Sequence, residues 1–198
     1  CFMPDLSRYK GIVFDMDGTL IDSMGSHAVA WQQACEHFGY PYDGQYIHAL
    51  GGVPSRDIAK LLNEKYGQNH DLDEVAEVKR KAWLALDDDL TVIDDTFKVM
   101  QRYEGTLKMG IGTGSERDNA IRMLTRTGLL DRVETVVTSS DVTHGKPDGE
   151  TFLTVAKNMG LRADECVVFE DTEIGRQAAK NAGMDCIMVI DGKIELPA

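Results

Sequence analysis

The stretch that decides the fold is Ile12-Val13-Phe14-Asp15-Met16-Asp17-Gly18-Thr19-Leu20. Ile12 to Phe14 is a short β-branched and aromatic run, the pattern of a strand buried on both faces. It stops at two carboxylates one residue apart, followed by a glycine that can take positive φ and let the chain turn. A strand ending in carboxylates sets them at the carboxyl edge of a sheet, where α/β proteins bind their ligands. Read alone, Asp15 and Asp17 could do no more than cap a turn. A calcium loop is the other short reading, but an EF-hand needs further oxygens and a distal glutamate that are missing here.

Working outward, the chain reads as helices from Met24 to about Leu90. Met24, Ala28, Trp31, Cys35 and Phe38 recur at helical spacing as far as Gly39, and Pro41 and Gly44 mark a break. Ser55 to Tyr66 carries Ile58, Leu61, Leu62 and Tyr66 on one face and stops at Gly67. Asp71 to Leu90 is a third, charge-rich stretch holding Val75, Val78, Ala82 and Leu86. No strand signal interrupts this block, so it reads as an insert between the first strand and its continuation. After Asp94 the grammar changes. Strands are expected at Leu107–Ile111, Glu134–Val137, Cys166–Phe169 and Cys186–Ile190, alternating with helices over 116–129, 149–159 and up to Gly183. That alternation means βαβ units and a parallel sheet with helices on both faces.

Composition narrows the partners. The 198 residues suit one domain with a sizeable insert, and 42% hydrophobic with 27% charged residues is ordinary for a packed globular chain. A net charge of −12 argues against nucleic acid or an anionic membrane as partner. It would also repel an anionic substrate, so a phosphate site must carry its own local cations. Cys1, Cys35, Cys166 and Cys186 are widely spaced, and Cys35 and Cys166 lie in apolar patterns as buried thiols, which suits a reducing compartment. There is no apolar run of membrane-spanning length and no signal-peptide core, so the expectation is a soluble, cytoplasmic protein, monomeric or weakly dimeric.

Three further strings follow strands. Gly112-Thr113-Gly114-Ser115 has the small residues that let backbone amides approach an anion, and Ser115 can cap the next helix. His144-Gly145-Lys146-Pro147-Asp148 offers one cation in a loop between strand and helix, with Pro147 suited to a first helical turn. Val167-Val168-Phe169-Glu170-Asp171 ends a buried strand in adjacent acids, which repel each other unless a cation or protons compensate.

The nine residues from Ile12 to Leu20, with these three strings after them in order, resemble the motifs of the haloacid dehalogenase superfamily, most of whose members are magnesium-dependent phosphotransferases. The resemblance covers essentially the whole chain. It implies a Rossmann-like parallel-sheet core, 1–22 and 92–198, with an inserted small α-helical cap, 23–91, like that of the β-phosphoglucomutase-like branch. Within that branch Gly112-Thr113-Gly114-Ser115-Glu116 and the run Cys166 to Met184 are most similar to sugar-phosphate phosphatases of the fructose-1-phosphatase type. In family terms Asp15 is the nucleophile and Asp17 the general acid/base. Thr113 and Lys146, with Gly114, hold phosphoryl oxygens, and Asp15, Asp17, Glu170 and Asp171 surround Mg²⁺.

The chemistry fits those roles. A carboxylate nucleophile splits phosphate-ester hydrolysis through an aspartyl-phosphate, and a hard cation brings two anions together. As an acid, Asp17 should have a raised pKa, and its backbone carbonyl can reach the metal. His27, Arg56 and Lys81 match positions that face the site from the cap in the β-phosphoglucomutase branch, which makes them the expected sugar-binding residues. Arg56 follows the flexible loop Gly51-Gly52-Val53-Pro54, suited to closing over a ligand. Where many relatives have a proline-glycine pair at the hinge back into the core, this chain has Val92-Ile93-Asp94-Asp95. The expected activity is hydrolysis of small sugar phosphates. A sugar phosphomutase shares every core residue and is the alternative, and a non-catalytic phosphate binder would have no need of a nucleophile.

Overall fold

The computed structural model describes residues 3–86 and 90–195. The first strand, β1 (Gly11–Phe14), is followed by the two-residue strand β2 (Ile21–Asp22). Four helices come next: α1 (Met24–Phe38), α2 (Gly44–Ala49), α3 (Ser55–Tyr66) and α4 (Leu72–Ala85). The chain then forms β3 (Thr91–Val92), α5 (Asp94–Tyr103), β4 (Lys108–Gly112), α6 (Arg117–Arg126), β5 (Thr135–Val137) and α7 (Glu150–Asn158). It closes with β6 (Cys166–Glu170), α8 (Glu173–Asn181), β7 (Asp185–Ile190) and β8 (Lys193–Ile194).

The main sheet has the order β5-β4-β1-β6-β7-β8, parallel except for the last strand, which runs antiparallel beside β7. β1 lies between β4 and β6, so each of its residues is paired on both sides and buried on both faces. This is why its sequence is an uninterrupted apolar run rather than an alternating one. From β1 the chain builds outward to β4 and β5, then crosses back to lay β6 and β7 on the other flank. The reversal sits at β1, and the crevice at such a switch point is where open α/β sheets bind ligands. Asp15, Thr113 and Glu170 all stand there, at or just beyond the carboxyl ends of β1, β4 and β6.

Two apolar clusters cover the faces of the sheet. One holds Ile12, Phe14, Ile111 and Phe169, the other Val13, Val168, Phe152 and Ala178. Alternate residues of β1 thus enter opposite cores, as the two-residue period of a strand requires. The helical insert has its own cluster around Trp31, Ala34, Ile58, Leu62 and Val75. Its two ends are tied by an antiparallel ladder in which Ile21 pairs with Val92 and Asp22 with Thr91. The hinge segment without a proline-glycine pair is therefore a short two-stranded ribbon, continued by Ile93, whose amide donates to the Leu20 carbonyl at 2.8 Å.

Four local expectations are corrected. The break at Pro41 and Gly44 contains a short helix, α2, capped by the Asp43 side chain on the Tyr46 amide. The third insert helix ends at Ala85, and 87–89, which the sequence pattern also reads as helical, lie outside the described residues. Its buried stripe is Val75, Lys79 and Trp83, at i, i+4 and i+8, so of the expected Val75, Val78, Ala82 and Leu86 the first is buried and the stripe then runs one position on from Val78 and Ala82. Finally, α5 and the edge strand β8 stand where the sequence pattern signals neither; α5 carries four charged residues in ten, and β8 is only two residues long.

Candidate active site

Asp15 is 2% exposed, and the β-ladder runs into it, because its amide donates to the Phe169 carbonyl at 3.0 Å. Its Oδ1 accepts from Lys146 Nζ at 2.7 Å. Lys146 is fully buried. Its ammonium also donates to Glu170 Oε2 at 2.8 Å and to the Gly112 carbonyl at 3.1 Å. An ammonium has three protons, and all three are placed. Burial opposes its charge, but Asp15 and Glu170 outweigh burial and push its pKa above the ordinary lysine range. The Lys146–Pro147 peptide bond is cis. Pro147 lies in the turn before α7 rather than in its first turn, since Gly149 is the N-cap.

The second acidic pair completes the cluster. Glu170 is fully buried, its Oε1 accepting from the Asp171 amide at 2.9 Å and the Thr172 amide at 3.3 Å. The Thr19 hydroxyl lies 3.2 Å from Asp15 Oδ2 and 3.1 Å from Asp171 Oδ1, bridging the two motifs. One carboxylate oxygen from each of Asp15, Glu170 and Asp171 lies within 4.8 Å of the others. Burial, reinforced by the Asp15 charge, pushes Glu170 up to about 7 and Asp171 up to about 10. Two buried carboxylates crowded with a half-buried third favour protons or a cation, and a hard divalent ion takes this all-oxygen donor set. The residues present fit a metal ion.

Two glycines make the crowding possible. Gly18 has φ +79°, and a Cβ there would lie 2.1 Å from Asp171 Oδ2. A Cβ on Gly175, in the first turn of α8, would lie 1.9 Å from the Glu170 carboxyl carbon. Side chains at these positions would push the second acidic pair off the first.

The Asp17 carboxylate turns away from that cluster. Its Oδ1 accepts from Ser23 Oγ at 2.5 Å and faces His27 Nε2 at 2.9 Å, and its Oδ2 accepts from Ser115 Oγ at 3.0 Å. Burial would raise its pKa, but the positive side of His27 and these hydrogen bonds outweigh burial and hold the carboxyl well below the usual range. The expectation of a raised pKa is thus reversed in this state. Three donors aimed at one carboxylate favour its charged form. Ser115 does not cap the following helix; Glu116 stands at that N-cap, and the Ser115 hydroxyl is spent on Asp17. Ser23 likewise occupies the N-cap position of α1 without capping it.

His27 is held from its other side by Lys79, whose Nζ lies 3.0 Å from Nδ1. An ammonium can only donate, so Nδ1 is the acceptor and Nε2 carries the proton that faces Asp17. Burial and the Lys79 charge push the His27 pKa down, consistent with a neutral ring. Lys79 itself is 7% exposed, and burial lowers it to about 8 against the pull of Asp17 and Glu116.

A pocket opens beside Asp17 between the insert and the sheet. His27, Trp31, Lys79 and Trp83 line it from one side, and Gly114, Ser115 and Asn119 from the other. Its rim is crossed by Arg80 Nε and Glu116 Oε2, 3.8 Å apart. The loop 51–54 seats directly on the core. A Cβ on Gly114 would lie 2.1 Å from the Gly52 carbonyl oxygen, and the Thr172 hydroxyl donates to the Gly51 carbonyl at 2.9 Å.

Asp15, Asp17, Thr113, Gly114, Lys146, Glu170, Asp171 and His27 are therefore brought together. Arg56 is not: it lies on the outer surface, paired with Asp73 at 3.0 Å, and its neighbour Ser55 lines the pocket instead. Lys81 is exposed, and Lys79 takes the buried place, because α4 turns the 75/79/83 face inward. Lys79, Trp83, Ser23 and Asn119 are site residues that the sequence motifs do not mark. A lysine four residues from both Val75 and Trp83, on an otherwise apolar stripe, is the available signal for the first.

This arrangement is that of a phosphotransferase-type hydrolase. A model of the haloacid dehalogenase-like hydrolase family matches residues 12–189, and the chain belongs to that family. It is 39% identical to fructose-1-phosphate phosphatase YqaB of Escherichia coli over 92% of this chain and 97% of that one. It is 29% identical to β-phosphoglucomutase of Bacillus subtilis over 96% of this chain and 87% of that one. Among solved structures, a hydrolase from Pseudomonas syringae superposes with a TM-score of 0.85 at 26% identity, covering 94% of this chain and 87% of that one. Family and relatives make the chain an enzyme of the phosphatase class. Among the described residues no helix is long and apolar enough to cross a membrane.

Proposed function

We propose that the protein hydrolyses small sugar phosphates of the fructose 1-phosphate kind, with Mg²⁺ in the Asp15–Glu170–Asp171 cluster, residues 1–22 and 92–198 acting as the reacting core and 23–91 as the cap. The observation that carries the reading is the position of Asp15. It is a buried carboxylate clasped by Lys146 and grouped with two more acids, two residues before Asp17, which lines the pocket. Asp15 attacks phosphorus and forms an aspartyl-phosphate. Lys146 exchanges one of its three protein partners for a phosphoryl oxygen as substrate enters, and with Thr113 neutralises charge as it moves onto the phosphoryl group. Bound Mg²⁺ would offset the repulsion between Asp15 and the incoming phosphate.

Asp17 gives a proton to the leaving sugar oxygen and later takes one from water. In the state described it is ionised, so it must gain that proton as substrate enters. Phosphate charge beside it and the breaking of its bonds to Ser115 or His27 would both raise its pKa. His27, Lys79 and Ser55 face the sugar from the cap, and His27 keeps Asp17 oriented. Hydrolysis is preferred to phosphomutation on the higher identity to the phosphatase, 39% against 29% for the mutase.

The test is a panel of sugar phosphates with Mg²⁺, scored for both phosphate release and isomer formation. The expected result is release of phosphate with no isomer. Isomer formation in its place would overturn the reading in favour of a mutase. Asp15→Asn should lower turnover by about three orders of magnitude or more, in line with the loss of other catalytic nucleophiles.

A further inference from the structure

Among the described residues, Trp83 is the one buried aromatic side chain of the insert helices that joins the apolar cluster of the sheet rather than that of the insert. It belongs to the same cluster as Leu20, Met123 and Leu124, while Trp31 belongs to that of Ile58 and Leu62. Its two ends meet different partners. The ring lies parallel to the His27 imidazole, with centroids 4.2 Å apart and planes 6° apart. The indole N–H donates to Asn119 Oδ1 on α6, across the boundary between insert and sheet. That oxygen also accepts from Arg122 Nη2 at 3.0 Å, one turn along the same helix, so two donors hold its direction. Lys79, which holds the far nitrogen of His27, lies 5.7 Å from the Trp83 ring centre.

We propose that Trp83 is a positioning residue for this reaction: its ring sets the plane of His27 against Asp17, and its N–H fastens the insert to α6 through Asn119, so the His27–Asp17 pair is aligned only when the insert is seated. A His27 ring free to rotate would present its Nε2 proton to Asp17 for only part of the time. Stacking removes that freedom, and the parallel arrangement 4.2 Å apart leaves little room to tilt. The Asn119 bond adds what stacking cannot, because it references the ring to the sheet that carries Asp17. The role rests on the reading of Asp17 as the acid for a sugar leaving group, and the experiment separates the two.

Three variants divide the parts. Trp83→Phe keeps a stacking ring and loses the N–H, Asn119→Ala loses the acceptor, and Trp83→Leu loses both functions. For fructose 1-phosphate, Trp83→Phe and Asn119→Ala should each lower kcat/KM about three- to tenfold, the range a neutral hydrogen bond is worth. Combined, they should cost no more than either alone. Trp83→Leu should fall mainly in kcat, and adding it to His27→Ala should cause no further loss, because it acts through His27. In kcat/KM, which ends with departure of the first leaving group, p-nitrophenyl phosphate, whose leaving group needs no proton, should lose much less than fructose 1-phosphate; kcat on either ester can fall through the later step in which Asp17 takes a proton from water.

A readout independent of turnover is the NMR shift of the His27 ring protons, which lie over the indole face. Trp83→Leu should move them strongly, Trp83→Phe less, and Asn119→Ala should broaden or split them. His27 resonances unmoved by Trp83→Leu would overturn the stacking role whatever the substrate proves to be. Equal losses of kcat/KM on the two esters, or additive losses with His27→Ala, would reduce Trp83 to a packing residue and overturn the proposal. If the wild type leaves fructose 1-phosphate untouched while the NMR shifts follow the pattern above, the substrate reading fails and the positioning role stands.

Discussion

Asp171→Asn should stabilise the metal-free protein, and the size and pH dependence of the gain can be worked from its surroundings. Asp171 sits beside Asp15 and Glu170, and burial with the Asp15 charge pushes its pKa up to about 10. At pH 7 without a cation the folded protein therefore keeps a proton there that the unfolded chain, with a carboxyl pKa of about 3.9, has released. A group whose folded pKa is raised contributes stability in full below the unfolded pKa and loses it as pH rises toward the folded one. At about 1.36 kcal/mol per pH unit, the roughly three units between about 4 and 7 set a ceiling of about 4 kcal/mol. The substitution removes this pH-dependent cost, offset in part by the altered contact with the Thr19 hydroxyl. The gain should be near zero at pH 4, grow with pH, and vanish when Mg²⁺ is added, because the cation compensates the wild-type carboxylate but gains little from the amide. Lys146→Met in the same cluster should act with the opposite sign. It strands Asp15 and Glu170 without their buried cation, a loss of about 3–5 kcal/mol, or roughly 6–20 °C in Tm for a chain of this size. Urea unfolding in EDTA at several pH values measures both. An Asp171→Asn protein less stable than wild type at pH 8, or a gain of the same size at pH 4 and pH 8, would refute the account of the cluster.

Chelation should abolish activity and Mg²⁺ should restore it, with Asp171→Ala needing far more metal; full activity after exhaustive chelation would remove the metal from the mechanism. Lys79 is lowered to about 8, so its charge is present at pH 7 and lost as pH rises. Activity on sugar phosphates should accordingly fall about tenfold per unit above that value. Lys79→Arg should shift that limb upward, and a wild-type profile flat into the alkaline range would contradict the Lys79–His27–Asp17 chain. Arg56→Ala should change kcat/KM by less than about twofold, since an exposed pair such as Arg56–Asp73 contributes little. Lys79→Met should cost at least about tenfold; the reverse ranking would return the cap cation to Arg56.

What lies along one strand is legible in the amino-acid sequence alone. Ile12 to Phe14 reads as a central strand because the run is short, β-branched and aromatic, and bounded by turn residues. The acids at its end, and those after Phe169, then had to meet at one sheet edge. Thr113 followed from the same rule, standing just past β4, whereas Lys146 lies nine residues beyond the end of β5 and reaches Asp15 only through the tertiary fold. The insert resisted the same treatment. Helical faces are set by a period of about 3.6, and a charge-rich helix such as α4 offers two nearly equivalent stripes; packing chose the one that buries Lys79 and exposes Lys81. The exposure of Arg56 and the seating of Ser55 depend on where α3 begins after Pro54, a matter of one residue. The protonation of Asp17 was set by three donors from separate parts of the chain, Ser23, His27 and Ser115, whose convergence no local spacing records. Sequence marked the main parallel strands and the carboxylates at the ends of two of them. Only tertiary packing decided which cation, ring and hydroxyls surround them, because those contacts join residues distant in the chain and leave no periodic trace.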